Sequence, residues 1–236
     1  MPTKPLTWGP NRLPVPYAAV WNTETPVVAR ALTIRADGMG LAYRDETPAD
    51  RDRHGVLWAR LRHSPGEGRP NFRALHPHRQ RDTMLHKLCH VCGGPASRTP
   101  QGWLFLLQRP TSTDQSPHWP EGLFSTKPPI CEPCAILAAR HCPHLTNPTA
   151  IRSRKPRTWG VFGAFYTPTP TGGFASSPTN HHLPYGHPAS PWFVAYQLVI
   201  ELTRCTHAGA DVLRIPAGSV AEGEVVPAPA AQPPAR

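Results

Sequence analysis

No stretch of the 236 residues approaches 18 consecutive apolar side chains, so the sequence offers no membrane-spanning helix. The opening residues, MPTKPLTWGPNRLPVPY, lack the apolar core of a secretory signal. Both absences point to a cytoplasmic protein with no membrane partner. Glycine-rich phosphate loops, nucleophile elbows and dinucleotide fingerprints are missing too, which removes the best-marked nucleotide-binding and hydrolase classes. There is no internal repeat. Acidic side chains are scarce, 15 against 25 basic ones, and the resulting formal charge of +10 favours polyanionic partners. Hydrophobic residues make up only 39 %, yet the chain is long enough to bury a core without depending wholly on metal or disulfides.

Proline, by contrast, is abundant at 32 residues, and much of it falls where neither helix nor central strand can form. Arginine greatly outnumbers lysine. Together with the abundant Ala, Pro and Gly, this is also what a GC-rich genome writes whatever the function.

The pattern predicts an α+β fold: a small antiparallel sheet, a few helices, an inserted metal-binding module and a Pro/Ala-rich tail. Residues 1–26 read as an irregular Pro-rich arm. Residues 27–88 carry strands and a basic helix. Val27 to Ile34 and Leu41 to Tyr43 read as a hairpin around Asp37 and Gly38, and His54 to His63 as a further strand. Pro77 to Leu88 reads as a helix with Leu75, Met84, Leu85 and Leu88 inward and Arg79, Arg81, His86 and Lys87 left to solvent. The metal module spans 89–145. Residues 146–215 supply a strand from Trp159 to Tyr166, a Pro/Gly/His loop from Thr167 to Ala189 and an apolar element opened by Ser190 and Pro191. A helix is the first reading of that element and a strand its alternative, given the β-branched content. Residues 216–236 have too few large apolar side chains to offset the entropy of ordering and read as a disordered tail.

Four of the six cysteines fall in two Cys-x-x-Cys pairs, Cys89/Cys92 and Cys131/Cys134. Two thiolates three positions apart reach one ion when the chain turns tightly between them, and Gly93 permits such a turn. In a reducing compartment such pairs read as metal ligands before disulfides. Four thiolates close a tetrahedron and leave no open coordination position, so the expected cofactor is one structural zinc ion. His141, Cys142 and His144 are further ligand types at the end of the following helix. Cys205 reads as a core thiol.

A turn carrying Cys-x-x-Cys, then an apolar strand (GWLFLLQ), then Cys-x-x-Cys opening a helix resembles the treble-clef group of zinc folds over about 55 residues. That group includes the HNH nucleases, which implies a test at their catalytic positions. Asp114 and His118 lie between the pairs but are not adjacent, Ser125, Thr126 and Lys127 stand where an Asn is expected, and Ala135 follows Cys134 where a His is expected. The wider pattern LCHVCGGPA…GWLFLL…PPICEPCA…HCPHL resembles a group of uncharacterised actinobacterial proteins, with no activity attached.

Two functional classes remain open. In one, the chain is a zinc-stabilised binding protein that contacts DNA, RNA or a protein partner through Arg79, Arg81, Lys87, Arg152, Arg154, Lys155 and Arg157. Trp103, Trp119 and Trp159 are then candidates for base stacking. In the other, it is an enzyme with its site outside the zinc module, or a divergent HNH-like nuclease. The candidates are His78, Asp82 and His86, spaced by four on one helix face, and His118. His181, His182 and His187 sit in the Pro/Gly loop, a poor place for a preorganised metal site.

Overall fold

The computed structural model describes residues 6–110 and 116–213. The tail expected from Pro216 and the candidate Asp114 lie outside the described residues. Over these residues the protein is α+β, with two ten-residue helices, one single α-helical turn (α1, Val28–Ala31) and several small sheets. The longer helices are α2, Pro77–His86, and α3, Glu132–His141. Among the described residues, no helix is long and apolar enough to cross a membrane.

The largest sheet is built around Arg157–Pro168 and Phe193–Leu202, which pair antiparallel. The second of these corrects the first reading of the run after Pro191, because its residues form a strand. The run is apolar nearly throughout, with buried side chains on both faces. Continuous apolarity of that kind does not distinguish a buried strand from a buried helix, and here the β-branched content agrees with the strand. Ser190–Trp192, the expected helix start, is one 3₁₀ turn. The Pro/Gly/His segment expected to be loop contributes Phe174–Ser176 and His181–Pro184, both paired to Arg157–Pro168. Of the strand expected over His54–His63, only Leu57–Trp58 forms, parallel to Val194 and Ala195.

The far edge of Phe193–Leu202 is covered in pieces. Leu57–Trp58 takes one end and Leu123–Ser125 the other. Between them the buried side chain of Gln80 stands in for a strand: its amide accepts from Leu198 N at 2.8 Å and donates to Leu198 O at 3.0 Å and Thr126 O at 2.8 Å. A buried backbone pair left without partners would cost about 1–3 kcal/mol per group, so this contact anchors α2 on the sheet.

The buried face of α2 is therefore not the one its leucines suggest. Arg79, Gln80, Thr83 and Met84 are buried, while Leu85 is exposed. Arg79 is 1 % exposed and holds Glu24, 2 % exposed, through two contacts of 2.7 Å. Glu24 also accepts the backbone N–H groups of Trp21 and Ser64. This pairing draws in the N-terminal segment expected to be irregular: Ala19–Trp21 pairs with Pro70–Leu75, and Trp21 is buried.

The hairpin Leu32–Ile34 with Leu41–Tyr43 forms as expected, although Val28–Ala31 before it is helical. A four-stranded antiparallel sheet, ordered Cys205–His207, Pro148–Ser153, Gly102–Gln108 and Arg98–Thr99, supports the cysteine pairs. Gly102 has φ +112°, and a Cβ there would lie 2.1 Å from the Ser153 carbonyl oxygen, so the close approach of these strands requires glycine.

Candidate metal centre

The end of α2 delivers the first cysteine pair. Lys87 adopts the left-handed conformation, φ 55°, and Leu88 N then bonds back to Thr83 O at 3.0 Å. The chain turns at once into the loop of Cys89 and Cys92. Cys89 N donates to Gly94 O at 2.7 Å and Gly93 N to Cys89 O at 2.8 Å, closing the loop. Gly93 takes φ +73° with Tyr17 packed against it.

The second pair opens α3. Cys131 is the N-cap residue, Pro133 occupies the first turn, and Ala135 N bonds Cys131 O at 2.9 Å. Proline costs nothing there because the first-turn N–H has no helical partner. Cys134 falls in the first turn, where the positive end of the helix dipole favours a thiolate. Strand Gly102–Gln108 joins the two halves: Leu104 N bonds Ser97 O at 3.0 Å and Ile130 N bonds Leu104 O at 2.9 Å.

The four sulfur atoms converge, all within 4.8 Å of one another. Cys92 Sγ and Cys131 Sγ are 3.8 Å apart. Four sulfurs about 2.3 Å from a central ion stand about 3.8 Å apart, so the arrangement has the dimensions of a tetrahedral thiolate site. None of the six cysteines is in a disulfide. Cys89 is fully buried and the other three partly so, against Val91, Leu104, Leu106 and Ile130.

Three of the thiols perturb one another strongly. Hydrogen bonds from Cys131 and Cys134 hold the Cys89 thiol far below its ordinary range. Cys134 is pushed far up, first by its contact with Cys131, then by Cys89 and burial. At Cys131 the contact with Cys134 pulls down, but Cys89 and burial prevail and push it up to about 12. Four thiolates packed this closely would repel one another, and a positive ion between them would relieve that repulsion.

Arg152 braces this unit from within. It is 3 % exposed and meets Glu132 of α3 at 2.6 Å, Ser97 Oγ at 3.2 Å and Gly102 O at 3.3 Å. Neither Arg152 nor Arg79 therefore reaches the surface to meet a phosphate. Arg81 lies over the Trp58 ring at 4.8 Å, and Lys87 Nζ bonds Met84 O at 2.6 Å. Arg154, Lys155 and Arg157 are exposed, Arg157 in contact with Glu201 at 2.9 Å.

Of the catalytic candidates, Asp82 and His86 meet at 3.4 Å on the exposed side of α2; His78 is exposed and joins no metal-ligand group. His118 sits on an exposed turn. His141, Cys142 and His144 also join no such group among the described residues. Cys205 packs against the main core, and burial pushes its thiol up to about 11.

One cluster was not anticipated from sequence: Glu24, His63 and His76 bring three ligand atoms within 4.8 Å. Arg79 already occupies both Glu24 oxygens, so a cation there would have to displace a guanidinium. Burial first, then the nearby Arg79 charge, pushes His76 down to about 4, and it stays neutral beside the pair. The three residues come from separate loops and a helix cap, with no shared motif to reveal them.

Comparison of the chain with protein-family profiles, with curated proteins and with solved structures finds no match.

Proposed function

We propose that the protein is a zinc-stabilised binding module that holds single-stranded nucleic acid, with little sequence preference, on a basic and aromatic rim of its main sheet. The metal is zinc in this reading because four soft thiolates in a tetrahedron suit that ion and leave no position for substrate. The turn, strand and helix order around it supports a treble-clef-like module that is structural rather than catalytic.

The rim carries the proposal. Phe124, Glu201 and Arg157 stand in register across three strands. Phe124 is 45 % exposed, and its ring lies 4.4 Å from that of the partly buried Trp159. Beside that aromatic pair, Lys155, Arg157 and Arg204 line a depression of about 400 Å³ together with Glu121 and Glu201, and the exposed Arg154 adjoins Lys155. Two carboxylates share the depression: Glu201 offsets Arg157, and Glu121 accepts the backbone N–H groups of Arg204 and Cys205 and stays anionic, so Lys155 and Arg204 are the lining cations without an ion pair among the described residues. Cations beside a stackable aromatic are what unpaired bases and their phosphates require.

A fluorescent single-stranded oligonucleotide titrated at several salt concentrations tests this. Affinity should fall with salt at a slope of about −0.7 per phosphate contact. Lys155→Ala should flatten that slope by about one contact. Phe124→Ala should weaken binding by about 1–3 kcal/mol at every salt concentration. Binding indifferent to salt, or absent at low salt, would instead favour a protein partner on this face.

A further inference from the structure

A second concave feature lies apart from the basic rim. The N-terminal residues Trp8 and Leu13, Phe72, Leu106 of the cysteine-bearing unit and Leu137 of α3 enclose a cleft of about 530 Å³. That volume falls within the range of small-molecule sites, which are typically apolar with a few polar groups that fix orientation. Trp8 and Phe72 are 41 % and 49 % exposed, an unusual cost for two large side chains that face a shared cavity.

Among the described residues, the side chains that line the cleft carry charge of one sign. Among the described residues no aspartate, glutamate or arginine lines it, and one lysine does, Lys127. Among the described residues Lys127 makes no ion pair within 4.0 Å. His90 also lines the cleft, and its Nδ1 is fixed by Pro129 O at 3.2 Å. His141 and Cys142, candidates for a metal site by sequence, line it as well.

We propose that this cleft binds a small amphiphilic anion, an acyl or aryl carboxylate whose apolar body lies against Trp8, Phe72 and Leu137 and whose carboxylate meets Lys127. An apolar cavity whose described lining carries one cation without an ion pair complements such a molecule in both shape and charge. A cationic amphiphile would fill the same volume but meet only like charge.

Calorimetric titration of the full-length, metal-loaded chain with decanoate, decanol and decyltrimethylammonium, all below their aggregation concentrations, tests this. One decanoate should bind per chain, at least tenfold more tightly than the ammonium compound. Lys127→Gln should weaken decanoate about tenfold and leave decanol unchanged; Phe72→Ala should weaken both. Both positions are exposed, and unchanged melting curves and metal content would confirm that the variants are folded. Equal affinity for the three head groups, no saturable binding, or decanoate binding only after removal of residues 214–236 would each overturn the proposal. The last outcome would assign the cleft to the chain's own C-terminal segment. Oligonucleotide binding at the Lys155 rim reads out separately, so the two proposals can fail independently.

Discussion

Cys131→Ser should yield a chain that loses its metal and does not fold to a stable product. Cys131 is at once a member of the four-cysteine cluster, the N-cap of α3 and the neighbour of Cys92 at 3.8 Å. A structural zinc site contributes on the order of 10 kcal/mol to folding, comparable to the entire stability of an ordinary domain. The core around the site consists of small and medium side chains, chiefly Val91, Leu104, Leu106, Ile130, Ala135 and Ala150, and has little apolar area to replace the ion. Far-ultraviolet circular dichroism and solubility of the variant, beside the wild type treated with a strong chelator, provide the check. A variant that melts within a few degrees of the wild type would show that the cysteine cluster does not hold the fold.

The second large effect belongs to Arg79→Ala, which should destabilise the protein by about 3–5 kcal/mol in urea denaturation. The substitution strands the Glu24 carboxylate among the buried N–H groups of Trp21 and Ser64, with no counter-charge. The pH dependence has a definite sign. In the native protein burial alone would raise the Glu24 pKa, but the Arg79 contacts and the two backbone donors outweigh it and hold it below 4.5. The pair's contribution is therefore present above pH 4.5 and lost as pH falls through the depressed native value. In the variant burial dominates, so its deficit against the wild type should shrink on acidification, when the stranded carboxylate takes a proton. A deficit independent of pH would mean that lost packing, not charge, is responsible. Replacing both residues with apolar ones should cost less than Arg79→Ala alone.

The four-cysteine cluster was legible in the sequence because its signals are local: two cysteines three apart, a glycine where the turn needs φ +73°, a proline where a helix begins. The hairpin around Asp37 and Gly38 was legible for the same reason. The partners of α2 were not. Its period located the helix, but which face was buried depended on Glu24, 55 residues away, and on Leu198, 118 residues away. An arginine and a glutamine became core residues because distant partners bond the terminal nitrogens of Arg79 and both amide atoms of Gln80. Arg152 left the candidate phosphate-binding set in the same way, through Glu132. The strand Phe193–Leu202 lacked a clear period because it is buried on both faces. Arg204, Phe124 and the apolar cleft had no local signal; each depends on residues brought together only by the fold.

X-ray absorption at the zinc edge on the purified protein, with metal stoichiometry measured on the same sample, tests the central claim most directly. The expected result is one zinc per chain with a single shell of four sulfur neighbours at about 2.3 Å and no light-atom ligand. A shell containing nitrogen or oxygen would bring a histidine or water into the site and open it to catalysis, and well-folded protein without zinc would contradict the account outright.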